Sequence, residues 1–260
     1  MTLRFSIAIL FVTMVSCQPR YVLDENIKVN NLDYATSKPD SALIAMVAPY
    51  KTKLDAEMNT VIGYLAENLE KGFPEGKLGN FAADVFFDSA MDKFNKSAAA
   101  NFWNATNALC IINNGGLRVN LQKGAVSKGK IFELLPFENY LTVFQFKGKY
   151  LLNELAKYIA DKKGQPVSKN VKIKFEQGTL VSFEISGVQV DSAKTYCIIT
   201  NDYLANGGDN MDLFARFKND KDRMDFSELR LRDCMIEYMQ SHSNVRDSIK
   251  SITLGRIEIK

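Results

Sequence analysis

The chain has 260 residues, 46% hydrophobic and 24% charged, a balance that excludes disorder and allows a sizeable core. Its 33 Lys and Arg against 30 Asp and Glu leave a formal charge of +3, too small by itself to imply a nucleic-acid polymer as partner.

At the start, Arg4 precedes an apolar run from Phe5 to Val15, broken only by Ser6 and Thr13. The run is too short to span a membrane comfortably and has the proportions of a signal-peptide core. Met14-Val15-Ser16-Cys17 then reads as a lipobox, so residues 1–16 are expected to be removed and the Cys17 sulfur lipidated. The alternative is an ordinary secretory signal or an uncleaved anchor, with Cys17 incidental. Residues 17–40 are polar and without period, as a tether would be, and one folded domain is expected over 41–260. Cys110, Cys197 and Cys234 show no CxxC pair; buried free thiols are expected, with one disulfide as the alternative.

Leu43, Met46, Val47, Tyr50 and Leu54 recur at helical spacing from Ser41, and Pro49 predicts a kink or break near Ala48. Met58 to Leu65 is strand-like. Leu78, Phe81, Ala82, Val85 and Phe86 mark a second helix. Ala108 to Ile112 reads as a buried strand that delivers the loop Asn113-Asn114-Gly115-Gly116. Ser127 is placed to cap a short helix that Pro136 ends.

Tyr140 to Phe146 alternates as a strand, with Leu141, Val143 and Gln145 on one side and Thr142, Phe144 and Phe146 on the other. Lys149 to Lys162 predicts an amphipathic helix with Leu151, Leu155, Tyr158 and Ile159 on its apolar stripe. Strands follow over Val171–Phe175, Leu180–Ile185 and Tyr196–Thr200, with turns at Gln177-Gly178 and Ser186-Gly187. A late helix carries Leu231, Cys234, Met235, Tyr238 and Met239, and Ile257–Ile259 reads as an edge strand. Strands mixed with helices in this order predict an α+β fold, a mixed sheet with packed helices.

The one histidine, His242, lies in a polar stretch, and no HExxH, P-loop or G-x-S-x-G elbow is present. No catalytic or metal-ligating residue is therefore assigned in this chain, and no cofactor is expected on it. Three segments instead look like strand ends that meet a ligand. In Asn113 to Arg118, paired glycines let the backbone approach a ligand, and an arginine follows that can fork onto oxygens. In Leu134 to Asn139, Phe137 sits between a helix and a strand. In Thr200 to Asp209, an aromatic is followed by Gly207, Gly208 and a carboxylate. Taken singly, each reads equally as a surface turn or a core aromatic. Together they propose a pocket for something flat, hydroxylated and anionic, which describes a nucleotide.

These segments carry a resemblance to the C-terminal, substrate-binding domain of the 5′-nucleotidase family. Asn113 to Arg118 resembles the family's N-G-G-G-I-R run, with Asn114 at the first glycine. Lys130 to Asn139 resembles the helix and L-P-F-x-N stretch, and Val190 to Tyr196 the V-D-P-x-K-T-Y run. Tyr203 to Asp209 is similar to F-L-A-x-G-G-D, and Leu78 to Asp84 to L-G-N-L-x-A-D. The resemblance implies that Phe137 and Tyr203 clamp a base, Asp209 takes the ribose hydroxyls and Arg118 the sugar or phosphate side. Asn113 and Asn139 would face the base or order the loops, with Gly207 and Gly208 in the last signature. It also implies a metallophosphatase domain with two divalent metals, which these 260 residues do not supply. The function expected is the nucleotide- or nucleoside-recognition half of a split 5′-nucleotidase, inactive alone, lipid-anchored on a periplasmic or cell surface beside a separate metallophosphatase. The alternative is a standalone nucleoside- or nucleotide-binding lipoprotein with no hydrolase partner.

Overall fold

The computed structural model describes residues 40–95, 106–219, 221, 223–242, 248–249, 252 and 254–260. The expected signal peptide, Cys17 and all of the expected tether but Asp40 lie outside them. The chain divides into a short unit, Met1–Val47, and a large one, Ala48–Lys260. No helix among the described residues is long and apolar enough to cross a membrane.

Helix α1 (Ser41–Met58) holds Pro49 inside it, so of the kink or break expected near Ala48 the break does not occur. A proline removes one amide donor, and on a helix exposed over this whole stretch water can satisfy the freed carbonyl. β1 (Val61–Leu65) pairs antiparallel with β3 (Gly124–Ser127) as a two-stranded ribbon. α2 (Lys77–Asn95) buries Leu78, Phe81, Ala82, Val85 and Phe86, the stripe read from the sequence. The Ser127 side chain accepts the Lys130 amide at the start of α3 (Lys128–Leu134), as its position predicted.

The centre of the large unit is a mixed sheet in the order β2 (Ala108–Cys110), β8 (Thr195–Asn201), β4 (Tyr140–Lys147), β9 (Arg223–Arg230). Its faces feed two cores, and the alternation of β4 decides which residue goes where. Leu141 and Val143 join one core with Cys197, Ile199, Phe86 and, from α8 (Leu231–His242), Met235. Phe144 and Phe146 join the other, where the Phe144 ring stacks at 4.9 Å on Phe214 of α7 (Asp212–Arg216). This second core is closed by helical turns and by another mixed sheet. The turns are α4 (Gly148–Tyr150), a π-helical stretch Leu151–Leu155 and α5 (Ala156–Asp161).

The second sheet has the order β10 (Ile257–Ile259), β5 (Val171–Glu176), β6 (Thr179–Ile185), β7 (Val188–Gln189). The fold class is α+β with packed helices as expected, but its strands are divided between two four-stranded mixed sheets and the two-stranded ribbon. Both predicted turns are present, with Gln177, Gly178, Ser186 and Gly187 all at positive φ, as two-residue hairpins of this hand require. Cys110, Cys197 and Cys234 are free and buried, so no disulfide joins them.

One polar knot ties the C-terminal strand to α2. Arg256 forks onto Asp84 (Nη1–Oδ1 2.7 Å, Nη2–Oδ2 2.8 Å) and donates to the Val167 carbonyl at 2.6 Å. The Glu75 carboxylate accepts the amides of Gly255 and Arg256 and, through its other oxygen, the Asn80 side chain. Burial pushes the Asp84 carboxyl up against the pull of the guanidinium.

Candidate functional site

The direction of three strands assembles the site. β2 and β8 run parallel, so the loops that leave their C-terminal ends emerge at the same edge of the sheet. β4 is antiparallel to β8, with Leu141 opposite Asn201, so the residues leading into β4 arrive at that edge too. Asn113–Arg118, Phe137–Asn139 and Tyr203–Asp209 are thereby gathered from distant parts of the sequence. They line one cavity of about 260 Å³, whose walls are Asn113, Gly115, Gly116, Arg118, Phe137, Asn139, Tyr203 and Asp209. A narrower recess below it continues past Asn113 and Phe137 to the apolar side chains of Ile112, Leu135 and Leu231.

Two aromatic rings stay out of the packed interior. Phe137 is 50% exposed and Tyr203 44%, so both rings of the cleft offer surface to a ligand. The Arg118 guanidinium lies 5.9 Å from the Phe137 ring centre and donates to the Gly115 carbonyl at 3.0 Å. Asn113 is buried, and its Oδ1 accepts from Asn201 Nδ2 at 2.9 Å. Asn201 in turn caps α6 (Asp202–Ala205) by accepting the Leu204 amide at 2.8 Å. The amide of Asn114 donates to Gln165 Oε1 at 2.9 Å. These bonds fix the floor of the cleft before any ligand arrives. The Asn139 carbonyl accepts the Leu231 amide at 2.9 Å, which ties the entry of β4 to the start of α8.

Gly207 and Gly208 do not line the cleft; they shape it. Gly207 sits at φ 91, the left-handed region, and a Cβ there would meet the Ala215 Cβ at 2.8 Å. A Cβ on Gly208 would meet the Tyr203 ring at 2.5 Å and the Tyr203 carbonyl at 2.6 Å, so the ring rests directly on this backbone. Asp209, the carboxylate of the cleft, has left-handed φ 54 and accepts from Tyr203 Oη at 2.9 Å. That bond to a carboxylate, with burial second, raises the Tyr203 phenol above its ordinary value.

Sequence reading placed Tyr158 on an apolar stripe and missed its polar end. It is 8% exposed and its hydroxyl has no hydrogen-bond partner among the described residues. Burial, then the charges of Asp209 and Tyr203, push this phenol up. Asn201 and Gln165 were also missed as supports. Asn201 had a signal, since a strand ending in asparagine before a helical turn reads as a cap; Gln165 had none.

The described residues do not fit a pair of divalent metals. The His242 ring stacks on Tyr238 with centres 4.2 Å apart, and its Nδ1 is 2.8 Å from Ser241 Oγ. Among the described residues no three His, Cys, Asp or Glu side chains are arranged to hold a metal ion.

Comparison with known proteins agrees with this architecture. The family model described as "5'-nucleotidase, C-terminal domain" matches residues 60–216. The chain is 26% identical over 170 residues to protein UshA of Escherichia coli, covering 64% of this chain and 29% of that one. It is 24% identical over 191 residues to endonuclease YhcR of Bacillus subtilis, covering 71% of this chain and 14% of that one. A 5′-nucleotidase precursor from Thermus thermophilus has the same fold, with a TM-score of 0.64 at 24% identity, over 85% of this chain and 44% of that one. The chain thus spans less than half the length of each of these relatives. With a family model matching more than half of its residues, and the glycine loop, Phe137 and Asp209 on one cleft, the chain belongs to the 5′-nucleotidase C-terminal domain family.

Proposed function

We propose that the cleft recognises the nucleoside part of a nucleotide and that the chain is the substrate-binding half of a split 5′-nucleotidase. Phe137 and Tyr203 stack on the base, Asp209 accepts from the ribose hydroxyls, and Arg118 faces the sugar or phosphate. Asn113 and Asn139 order the walls. The observation that carries this reading is that two half-exposed rings, one carboxylate and one arginine line a single cavity. Aromatic faces offer sequence-tolerant stacking, and a carboxylate takes two hydroxyl donors.

In this reading a metallophosphatase on a separate chain supplies two divalent metals and cleaves the phosphate ester. Export and lipidation at Cys17 hold both proteins on one periplasmic or cell-surface membrane, where restriction to a surface raises their effective concentration. What supports a separate phosphatase is that the single histidine of the sequence stacks on Tyr238 and is not among the residues that line the cleft.

Two measurements test it. The purified protein should bind adenosine calorimetrically yet leave AMP intact with Mg²⁺, Mn²⁺ or Zn²⁺; robust metal-dependent hydrolysis of AMP by this chain alone contradicts the split. Affinity for adenosine with no gain in AMP turnover on adding the metallophosphatase favours a standalone binding lipoprotein. For the pocket itself, Asp209→Ala should abolish the preference for adenosine over 2′-deoxyadenosine, and an equal loss for both ligands removes Asp209 from the ribose.

A further inference from the structure

The turn that carries Asp209 is left-handed. Asp209 and Asn210 are consecutive residues at φ 54 and 63, a conformation that Asp and Asn tolerate best among non-glycine residues. Among the described residues the Tyr203 hydroxyl bonds both the Asp209 amide and its carboxylate. Tyr203 Oη donates to Asp209 Oδ1 at 2.9 Å and accepts the Asp209 N–H at 3.2 Å, closing a two-bond ring across six residues. The absence of a side chain at Gly208 is what lets the phenol lie flat enough to reach. A carboxylate has about four acceptor sites; this ring uses one and leaves Oδ2 for a ligand.

We propose that the Tyr203 hydroxyl is a positioning group: it holds the Asp209 carboxylate ready for a cis-diol and so sets the preference for ribo- over 2′-deoxyribonucleosides. This inference rests on the nucleoside reading of the cleft. It separates two tasks within one side chain. The ring face serves the base, and the hydroxyl acts through Asp209 on the sugar. Phenylalanine at this position keeps the first task and loses the second. The alternative, a hydroxyl that merely adds packing, predicts no effect that depends on the sugar.

The test is calorimetry of the full chain with adenosine and 2′-deoxyadenosine, on the wild type, Tyr203→Phe, Asp209→Ala and the double variant. Loss of one net hydrogen bond's worth of positioning should shrink the ribose preference in Tyr203→Phe by about two- to tenfold. The double variant should show no less preference than Asp209→Ala alone, because Tyr203 acts through Asp209. A ribose preference retained in Tyr203→Phe, or additive losses in the double variant, overturns the inference while the site reading stands. A wild type that binds neither nucleoside overturns both. A ligand-free readout runs beside these. The ¹³Cζ resonance of Tyr203, assigned by its absence in Tyr203→Phe, should titrate above the ordinary tyrosine range and move down in Asp209→Asn. No movement in Asp209→Asn overturns the coupling itself.

Discussion

Phe137→Ala is expected to weaken adenosine binding by about 1–3 kcal/mol, roughly 5- to 150-fold in affinity, with little change in the unfolding midpoint. The two halves of this expectation come from one observation. Half of the Phe137 ring is already in water, so its truncation removes little buried area and leaves no cavity inside either core. The exposed half is the surface offered to a base, so its loss falls on binding. Arg118, lying over the ring, is freed at the same time, which adds to the deficit for ligands that carry phosphate. Tyr203→Ala should lose a similar amount, and more of its ribose preference, since it also releases Asp209. Calorimetry and a urea titration on the same preparations check both halves. Unchanged adenosine affinity in Phe137→Ala would take the ring out of the site.

Arg256→Met should destabilise the fold by about 3–5 kcal/mol, the largest loss expected from a single polar substitution here. The guanidinium is buried and answers a buried carboxylate, so truncating it leaves Asp84 charged with one amide donor, that of Lys169, at 2.7 Å. The ion pair itself adds little net stability, because desolvation offsets most of its attraction; what is severe is leaving one charge behind.

The pH dependence follows with a definite sign. Burial already raises Asp84 above its ordinary value, and removal of Arg256 takes away the main pull in the other direction. In the variant the folded state therefore binds a proton more tightly than the unfolded state does. Its stability relative to wild type is best in acid, below the ordinary carboxylate range, and is lost as the pH rises through the elevated folded value. Urea midpoints measured between mildly acid and neutral pH should show the deficit widening with pH. A deficit that shrinks over that range would mean that Asp84 relaxes into solvent when its partner is removed.

Much of the local structure was legible in the residues alone. The 3–4 spacing of Leu78, Phe81, Ala82, Val85 and Phe86 marked α2, and each of these side chains is buried. Ser127 announced its helix and Pro136 its end. The alternation over β4 foretold which residues face which side, because a strand has period two whatever surrounds it. β9 was not legible. Its run Arg-Met-Asp-Phe-Ser-Glu-Leu-Arg is an edge strand, exposed along much of its length, so no continuous apolar pattern sets it apart from loop. Pro49, which reads as a kink or break, makes no break: a strong local signal met a helix exposed enough to tolerate it.

The sequence by itself determined which short segments leave strands as loops, which carry paired glycines, and which place an aromatic or a carboxylate beside them. It could not determine that these segments meet. That was decided by strand direction, with β2 and β8 parallel and β4 reversed between β8 and β9, since only this order brings three loops to one edge. The Tyr203–Asp209 ring, the Asn113–Asn201 bond and the buried hydroxyl of Tyr158 belong to the same category. Hydrogen bonds between side chains depend on distances of a few tenths of an ångström, and packing across the whole domain sets those distances, while periodicity along the chain does not.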